Sequence, residues 1–187
     1  MRPIDKSLPA FFDPASQAEQ IALGEKLVGI LSSAATGPDV IAEDLGSIPP
    51  FVRESMARLG LPGLKVLRWE RHWDQEGTPP IDPATFPEVS VATTGTHDVE
   101  PIAATPDGQT DEQRAAILRS LLSSGSMLTL LPLQDVFGWR DRINTPAVVD
   151  EVNWTWRVPW PVDTWLDRED AVAHADQLKQ WTRDAGR

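Results

Sequence analysis

The rest of the chain is organised around residues Asp39-Val40-Ile41-Ala42-Glu43-Asp44-Leu45-Gly46-Ser47-Ile48-Pro49-Pro50. Its three leading apolar residues, two of them β-branched, predict a short buried strand, and two carboxylates follow where that strand should end. Gly46 permits a sharp turn, and Ser47 is placed to cap a helix that starts on Pro49. The order of strand, carboxylate, turn and helix is typical of the catalytic end of an α/β sheet or barrel. The simpler alternative is that Glu43 and Asp44 are solvated turn charges.

The same order of strand and terminal carboxylate recurs along the chain. Apolar runs at residues 64–69, 89–93 and 128–133 predict three further strands, and the carboxylates that follow them are Glu70, Asp98 and Asp135. Helices are predicted from about residue 17 to 33, from Pro49 to Gly60 and from Thr110 to Ser123. Because parallel strands joined by helices end at one edge of a sheet, we expect these carboxylates to converge on one mouth.

The pattern predicts an α/β fold of about four parallel strands with helices, which is half of a TIM-type (β/α)8 barrel. Residues 1–187 are expected to form a single partial barrel domain. Within it, residues 1–16 are an irregular entry segment and residues 166–187 contain the terminal helix. Such a sheet has two open edges, so self-association or pairing with another barrel half is the expected way of covering them.

The composition excludes several classes of partner. Lysine and arginine number 17 against 28 acidic residues, and the net charge of −11 argues against nucleic acid or an anionic membrane as partner. No apolar run approaches the roughly 20 residues that a membrane span needs, and no signal peptide opens the sequence. Cysteine is absent, which excludes disulfides and thiolate chemistry and favours a cytoplasmic location.

A metal site is an alternative use of the strand-end residues. His97, Asp98, Glu100 and Glu43 could in principle converge on a cation. However, the chain has only three histidines and lacks the paired histidine or cysteine spacing that zinc sites show. Neither a metal nor a cofactor is therefore predicted.

Six motifs occur in order over most of residues 40–160: Ala42-Glu43-Asp44-Leu45-Gly46, Gly60-Leu61-Pro62-Gly63-Leu64-Lys65-Val66-Leu67, Gly95-Thr96-His97-Asp98, Leu131-Pro132-Leu133-Gln134-Asp135, Arg142-Ile143-Asn144-Thr145-Pro146 and Asn153-Trp154-Thr155-Trp156-Arg157. With these motifs the chain resembles the C-terminal half of the amylomaltases, the 4-α-glucanotransferases of glycoside hydrolase family 77. Each motif alone is weak evidence, whereas six in sequence with matching spacing are a strong signal. The resemblance implies an α-amylase-like barrel that cleaves an α-1,4-glucan. One piece is retained covalently on an aspartate and passed to the 4-hydroxyl of another sugar.

The resemblance also implies roles for particular residues. Glu43 would be the general acid/base, Asp98 the second carboxylate that supports charge on the sugar ring, and His97 a hydrogen-bonding partner of ring hydroxyls. The chemistry itself requires such residue types, because fixed carboxylates stabilise an oxocarbenium-like transition state. Asp44 is expected to point elsewhere and to be structural. The substrate that the resemblance implies is an α-1,4-glucan or a maltooligosaccharide.

Asn144 and the tryptophans are the remaining candidates for sugar binding. Asn144 follows the last predicted strand and is expected near the same mouth, with the alternative that its loop only closes the barrel. Trp69, at a strand end, could stack on a sugar face or could pack internally, which is the commoner fate of tryptophan. Trp154 and Trp156 could also stack on sugar faces, but they lie in a family motif that packs near the base of the barrel, and packing is the expectation for both.

Two features depart from the family pattern. The family's nucleophilic aspartate lies in an Arg-x-Asp-His motif some tens of residues before the acid/base, whereas the aspartates found there are Asp5, Asp13 and Asp39, and none fits. The chain is therefore expected to carry the acid/base half of the site without its nucleophile and to be inactive alone. A catalytically silent fragment or a glucan-binding module is the alternative function. After Asp98, Val99-Glu100-Pro101 replaces the aromatic residues usual in the family.

Overall fold

A computed structural model describes residues 12–34, 40–106 and 109–187. The chain divides into two compact units, Met1–Gly63 and Leu64–Arg187, which are described one after the other. The prediction of an irregular entry over residues 1–16 lies mostly outside the described residues, and residues 12–16 are not helical. No helix in the described ranges combines the length and the apolar character required to cross a bilayer.

The first unit contains two helices, α1 at Gln17–Ala34 and α2 at Pro50–Leu59, both close to their predicted positions. Glu25 on α1 links them, because its carboxylate accepts hydrogen bonds from Ser55 Oγ at 2.5 Å and Arg58 Nη2 at 2.7 Å. These two hydrogen bonds hold the pKa of Glu25 below its ordinary value. The helix α2 ends at Gly60, whose φ of 64° is the left-handed conformation that glycine adopts at low cost.

Two predictions for the opening stretch were wrong. The expected strand is reduced to one residue, Ala42, which forms an isolated parallel bridge with Gly63, while Ile41 is 41% exposed. Ser47 does not cap α2, because Pro49 occupies the N-cap and no side chain bonds to the first turn. The turn at Gly46 is closed by a hydrogen bond that the Ile48 N–H donates to the Gly46 carbonyl, and it places Ser47 two residues before the N-cap.

The second unit is built on a three-stranded sheet in the order β1 (Gly63–Val66, in this unit from Leu64), β2 (Ser90–Thr93) and β3 (Leu128–Leu130). β2 and β3 are parallel, with Val91 opposite Leu128. All four residues of the central strand β2 are buried, as expected for a strand covered on both faces. The helix α3 (Asp111–Leu122) connects β2 to β3 and begins with a capping box between Thr110 and Gln113, as the sequence predicts.

Two strands are shorter than predicted. β1 gives way to a 3-10 helix at Leu67–Trp69, and β3 is followed by a short helix, α4, at Leu133–Phe137. Pro132 occupies the N-cap of α4, and because proline cannot donate to a strand ladder, the expected strand over residues 128–133 stops before it. The terminal helix α5 spans Glu169–Asp184, within the predicted terminal segment 166–187, and a 3-10 helix at Val162–Asp167 precedes it.

The second unit has a small hydrophobic core next to its sheet. Phe86, Ala92 and Leu121 form a buried cluster, against which Leu67, Ile81 and Leu131 pack. The central strand and α3 therefore hold the residues at the end of β2 in place.

Candidate active site

The candidate site is formed by chain segments that follow the carboxyl ends of β2 and β3. The first is residues 94–102 after β2, and its two ends are joined by Asp135 on α4. Thr94 Oγ1 donates to Asp135 Oδ2, and the Ile102 N–H donates to Asp135 Oδ1 at 2.7 Å. Asp135 is only 1% exposed, so both of its carboxylate oxygens accept hydrogen bonds inside the protein. This carboxylate therefore fixes the loop that carries His97 and Asp98.

Asp98 lies at the centre of a group of polar side chains. Its Oδ1 accepts a hydrogen bond from Asn144 Nδ2 at 2.6 Å and lies 3.2 Å from His97 Nε2. The Asn144 N–H also donates to the His97 carbonyl at 3.1 Å, so that two hydrogen bonds join the loop after β2 to the loop after α4. The Asp98 side chain is 40% exposed, and Oδ2 has no hydrogen-bond partner among the described residues. One oxygen of the carboxylate is thus available to a ligand.

Two arginines hold the backbone around Asp98. Arg142 Nη2 donates to the Asp98 carbonyl at 2.7 Å, and its Nη1 lies 3.4 Å from Glu100 Oε2. Arg68 Nη1 donates to Glu100 Oε1 at 2.9 Å, and Arg68 Nη2 donates to the Glu100 carbonyl at 2.9 Å. Glu100 is therefore shared by two guanidinium groups, and its charge is balanced within the protein.

A pocket of about 300 Å³ opens beside this group of side chains. It is lined by Leu64, Thr93, Gly95, Thr96, His97, Val99, Glu100, Pro101, Leu130, Leu131, Pro132, Gln134, Asp135, Asp141 and Ile143. Its volume is at the lower end of the roughly 300–1,000 Å³ usual for small-molecule sites, and its few polar groups stand on a mostly apolar lining. The carboxyl ends of parallel strands are where α/β proteins usually bind ligands.

The structure brings together three of the predicted site residues, His97, Asp98 and Asn144. Trp69 is 39% exposed and, within the described part of the chain, forms neither a ring contact nor a hydrogen bond with these three. Glu43 belongs to the first unit, where its side chain is exposed.

Asp44, next to Glu43 in the sequence, is 8% exposed and lies 3.2 Å from Arg53 Nε. The expectation that Asp44 is structural is therefore confirmed. The two adjacent carboxylates differ sharply in exposure, which separates a buried structural residue from one that a ligand could reach.

Two expectations for this region need correction. Asp135 does not face the mouth as a free carboxylate, because α4 turns it into the interior. Glu100, for which the sequence indicates no role beyond the disfavoured metal site, pairs with two arginines. Trp154 does not pack internally: it is 58% exposed, and its ring centroid lies 5.0 Å from that of His97. Trp156 does pack, with its ring 5.9 Å from Trp139.

No group of three or more histidine, cysteine or carboxylate side chains is arranged to hold a metal ion in the ranges that the structure covers. The only sequence signal for the role of Glu100 is the presence of two arginines, Arg68 directly after the motif that ends at Leu67 and Arg142 at the start of the motif Arg142–Pro146. The exposure of Trp154 had no sequence signal, because it depends on a backbone conformation described below.

Half-exposed carboxylate, imidazole and amide groups thus lie together at the carboxyl ends of parallel strands, where β/α proteins usually carry their functional residues. Residues 12–163 match the family model described as 4-alpha-glucanotransferase, and the chain belongs to this family, glycoside hydrolase family 77.

Relatives of the chain are themselves described as 4-alpha-glucanotransferases. The chloroplastic/amyloplastic protein of Solanum tuberosum is 30% identical over 172 residues, which cover 82% of this chain and 29% of the relative. The Streptococcus pneumoniae protein is 31% identical over 172 residues, which cover 81% of this chain and 33% of the relative. The chain thus spans about a third of the length of these curated relatives.

A solved structure shows the same fold. The amylomaltase from Streptococcus agalactiae in complex with acarbose matches with a TM-score of 0.67 at 25% identity, over 88% of this chain and 35% of that protein. The α/β fold and the parallel sheet are therefore those of part of a TIM-type barrel, which confirms the fold class predicted from the sequence.

Proposed function

We propose that this chain provides the acid/base part of an α-glucan site in a 4-α-glucanotransferase that works by a retaining double displacement. The observation that carries the proposal is the hydrogen-bonded group of His97, Asp98 and Asn144 beside the pocket at the ends of β2 and β3. It unites two separate motifs, Gly95–Asp98 and Arg142–Pro146, that the family resemblance singled out. The family match supports the class of reaction.

The proposed mechanism assigns different chemistry to the two carboxylates. In the first step Glu43, as a carboxylic acid, protonates the glycosidic oxygen while an aspartate nucleophile attacks the anomeric carbon and the C–O bond breaks. In the second step Glu43, now ionised, removes the proton from the 4-hydroxyl of the acceptor as that oxygen displaces the aspartate. Asp98 supports positive charge on the ring through its unpaired oxygen, with its orientation fixed by Asn144.

The proposed substrate is an α-1,4-glucan or a maltooligosaccharide. Sugar hydroxyls can donate to Asp98 Oδ2, which has no partner in the described residues, and His97 lies within reach of the same ring. Exposed polar groups beside an apolar pocket suit a ligand that presents hydroxyls on its rim and C–H groups on its ring faces.

Changing Asn144 to alanine is expected to weaken maltotriose binding about tenfold, because Asp98 loses the hydrogen bond that orients it. Isothermal titration of residues 1–187 with maltotriose measures the effect. A matched control is Gln180→Ala, which removes a similar amide–carboxylate hydrogen bond, to Asp184 at 2.7 Å on α5, and should leave the affinity unchanged. An unaltered affinity in Asn144→Ala would leave this residue with a structural role only.

Residues 1–187 alone are expected to bind maltotriose without producing a ladder of longer maltooligosaccharides. The reason is that Asp5, Asp13 and Asp39 do not occur in the family's nucleophile motif, and loss of a covalent nucleophile costs several powers of ten in rate. Chromatography of the incubation mixture measures glucose and longer products. A ladder that Glu43→Gln abolishes would contradict this prediction, and Asp5 would then be the first candidate nucleophile to test.

Binding without transfer also fits the alternative function, a glucan-binding module that pairs with a partner half. Mixing the chain with the remaining part of a family barrel distinguishes the catalytic function from the binding module. Recovery of transferase activity in the mixture supports the catalytic proposal, and its absence supports the binding module.

A further inference from the structure

Trp154 is exposed beside the candidate site, although it belongs to a motif expected to pack. Its side chain is 58% exposed, and its ring lies 5.0 Å from His97 with an angle of 44° between the two planes. His97 in turn contacts Asp98. An indole face is therefore presented to solvent within one side chain of the carboxylate that is proposed to meet the sugar.

The backbone at Trp154 adopts a conformation that a bulky residue rarely takes. Its φ is 65°, in the left-handed region where the side chain crowds the following carbonyl, so the arrangement costs free energy. The Trp154 N–H donates to the Ile143 carbonyl at 2.9 Å and holds the chain in this conformation. Backbone strain of this kind is concentrated at functional sites.

The residue before Trp154 fixes the same segment to the candidate site. Asn153 Oδ1 accepts a hydrogen bond from the Thr145 N–H at 2.9 Å, and Asn153 Nδ2 donates to the Val148 carbonyl at 2.8 Å. Thr145 directly follows Asn144, the residue that orients Asp98. The indole is therefore positioned by polar contacts to the site rather than by burial of its ring.

Packing accounts for other tryptophans but not for this one. Trp139, Trp160 and Trp165 surround Phe137 with ring centroids 4.6, 5.4 and 5.8 Å away. Trp154 is outside this aromatic cluster, and its one recorded ring contact within the described residues is with His97. Burial of the indole ring therefore does not compensate for the free energy that the backbone conformation of Trp154 costs.

We propose that Trp154 is a stacking surface for a glucose unit of a bound α-1,4-glucan, an inference that rests on the proposed function. The face of a glucose ring carries C–H groups that pack on an indole, while its equatorial hydroxyls point outward towards groups such as His97 and Asp98. The site then recognises the sugar in two ways, by hydrogen bonds at its edge and by apolar contact with its face.

The inference is tested by isothermal titration with maltoheptaose, which is long enough to cover neighbouring glucose positions. Trp154→Gly is expected to lower the affinity about tenfold, whereas Trp154→Phe, which keeps an aromatic face, should stay within about threefold. A matched control is Trp73→Ala, since Trp73 is 69% exposed and has no recorded ring contact within the described residues. Trp73→Ala should bind maltoheptaose with the same affinity as the unmodified chain.

Thermal unfolding separates a sugar-binding role from a structural one. Because glycine adopts positive φ without strain, Trp154→Gly is expected to keep or raise the unfolding midpoint while the affinity falls. A lower midpoint with unchanged affinity would overturn the inference and leave the proposed function standing. If neither the unmodified chain nor Trp73→Ala binds maltoheptaose, the proposed function fails, and the inference fails with it.

Discussion

Replacing Asp135 with alanine is expected to lower the free energy of unfolding by about 3 kcal/mol, the cost of leaving buried polar groups unpaired. The Ile102 N–H and the Thr94 hydroxyl both donate to this carboxylate, which is 1% exposed. Truncation would leave both donors buried and without their acceptor. Because Thr94 and Ile102 flank the loop that carries Asp98, the same change should weaken maltotriose binding.

Urea denaturation measures the stability effect. Asp135→Asn keeps the size of the side chain and an oxygen that accepts from the Ile102 N–H. The free energy of unfolding should therefore fall clearly less in Asp135→Asn than in Asp135→Ala. The matched control is Asp176→Ala on α5, where the side chain is exposed and a change of no more than about 0.5 kcal/mol is expected. Equal effects of Asp135→Ala and the control would show that the loop is held by other contacts.

Elements with strong local signals were predictable from the sequence. The helix α3 begins at a capping box, and α2 ends at Gly60 in the left-handed conformation. The central strand β2 was also predicted closely, because its uninterrupted burial requires a run of small and β-branched residues. For these elements local preference and tertiary packing agree.

The errors occurred where non-local contacts decide the structure. Residues 40–42 lack a full strand because only Ala42 finds a pairing partner, at Gly63. Asp135 was expected at the mouth because the preceding strand was extended to residue 133, whereas Pro132 starts a helix that turns the carboxylate inward. For the site, the motifs that the resemblance singled out contain His97, Asp98 and Asn144, whose side chains the structure places in contact. It could not reveal the exposure of Trp154, which depends on a positive φ.

The adjacent carboxylates Glu43 and Asp44 provide the sharpest test of the catalytic proposal. Asp44 is held by Arg53, which donates from Nε to its carboxylate at 3.2 Å and from Nη2 to its carbonyl at 3.3 Å. It also lies close to Gly63, where an added Cβ would stand 2.6 Å from Asp44 Oδ1. Asp44 is buried whereas Glu43 is exposed, so only Glu43 is open to a ligand.

Glu43→Gln is expected to reduce transferase activity by about a thousandfold or more, because glutamine can neither donate nor remove the required proton. The measurement is glucose release from maltotriose by the chain joined to the remaining part of the Streptococcus agalactiae amylomaltase, with thermal unfolding recorded in parallel. The unfolding midpoint should not change, since the Glu43 side chain is exposed. Asp44→Asn should show the opposite behaviour, a lower midpoint because its pair with Arg53 is lost, with activity per folded molecule largely retained. Equal losses of activity in the two variants would rule out Glu43 as the specific acid/base.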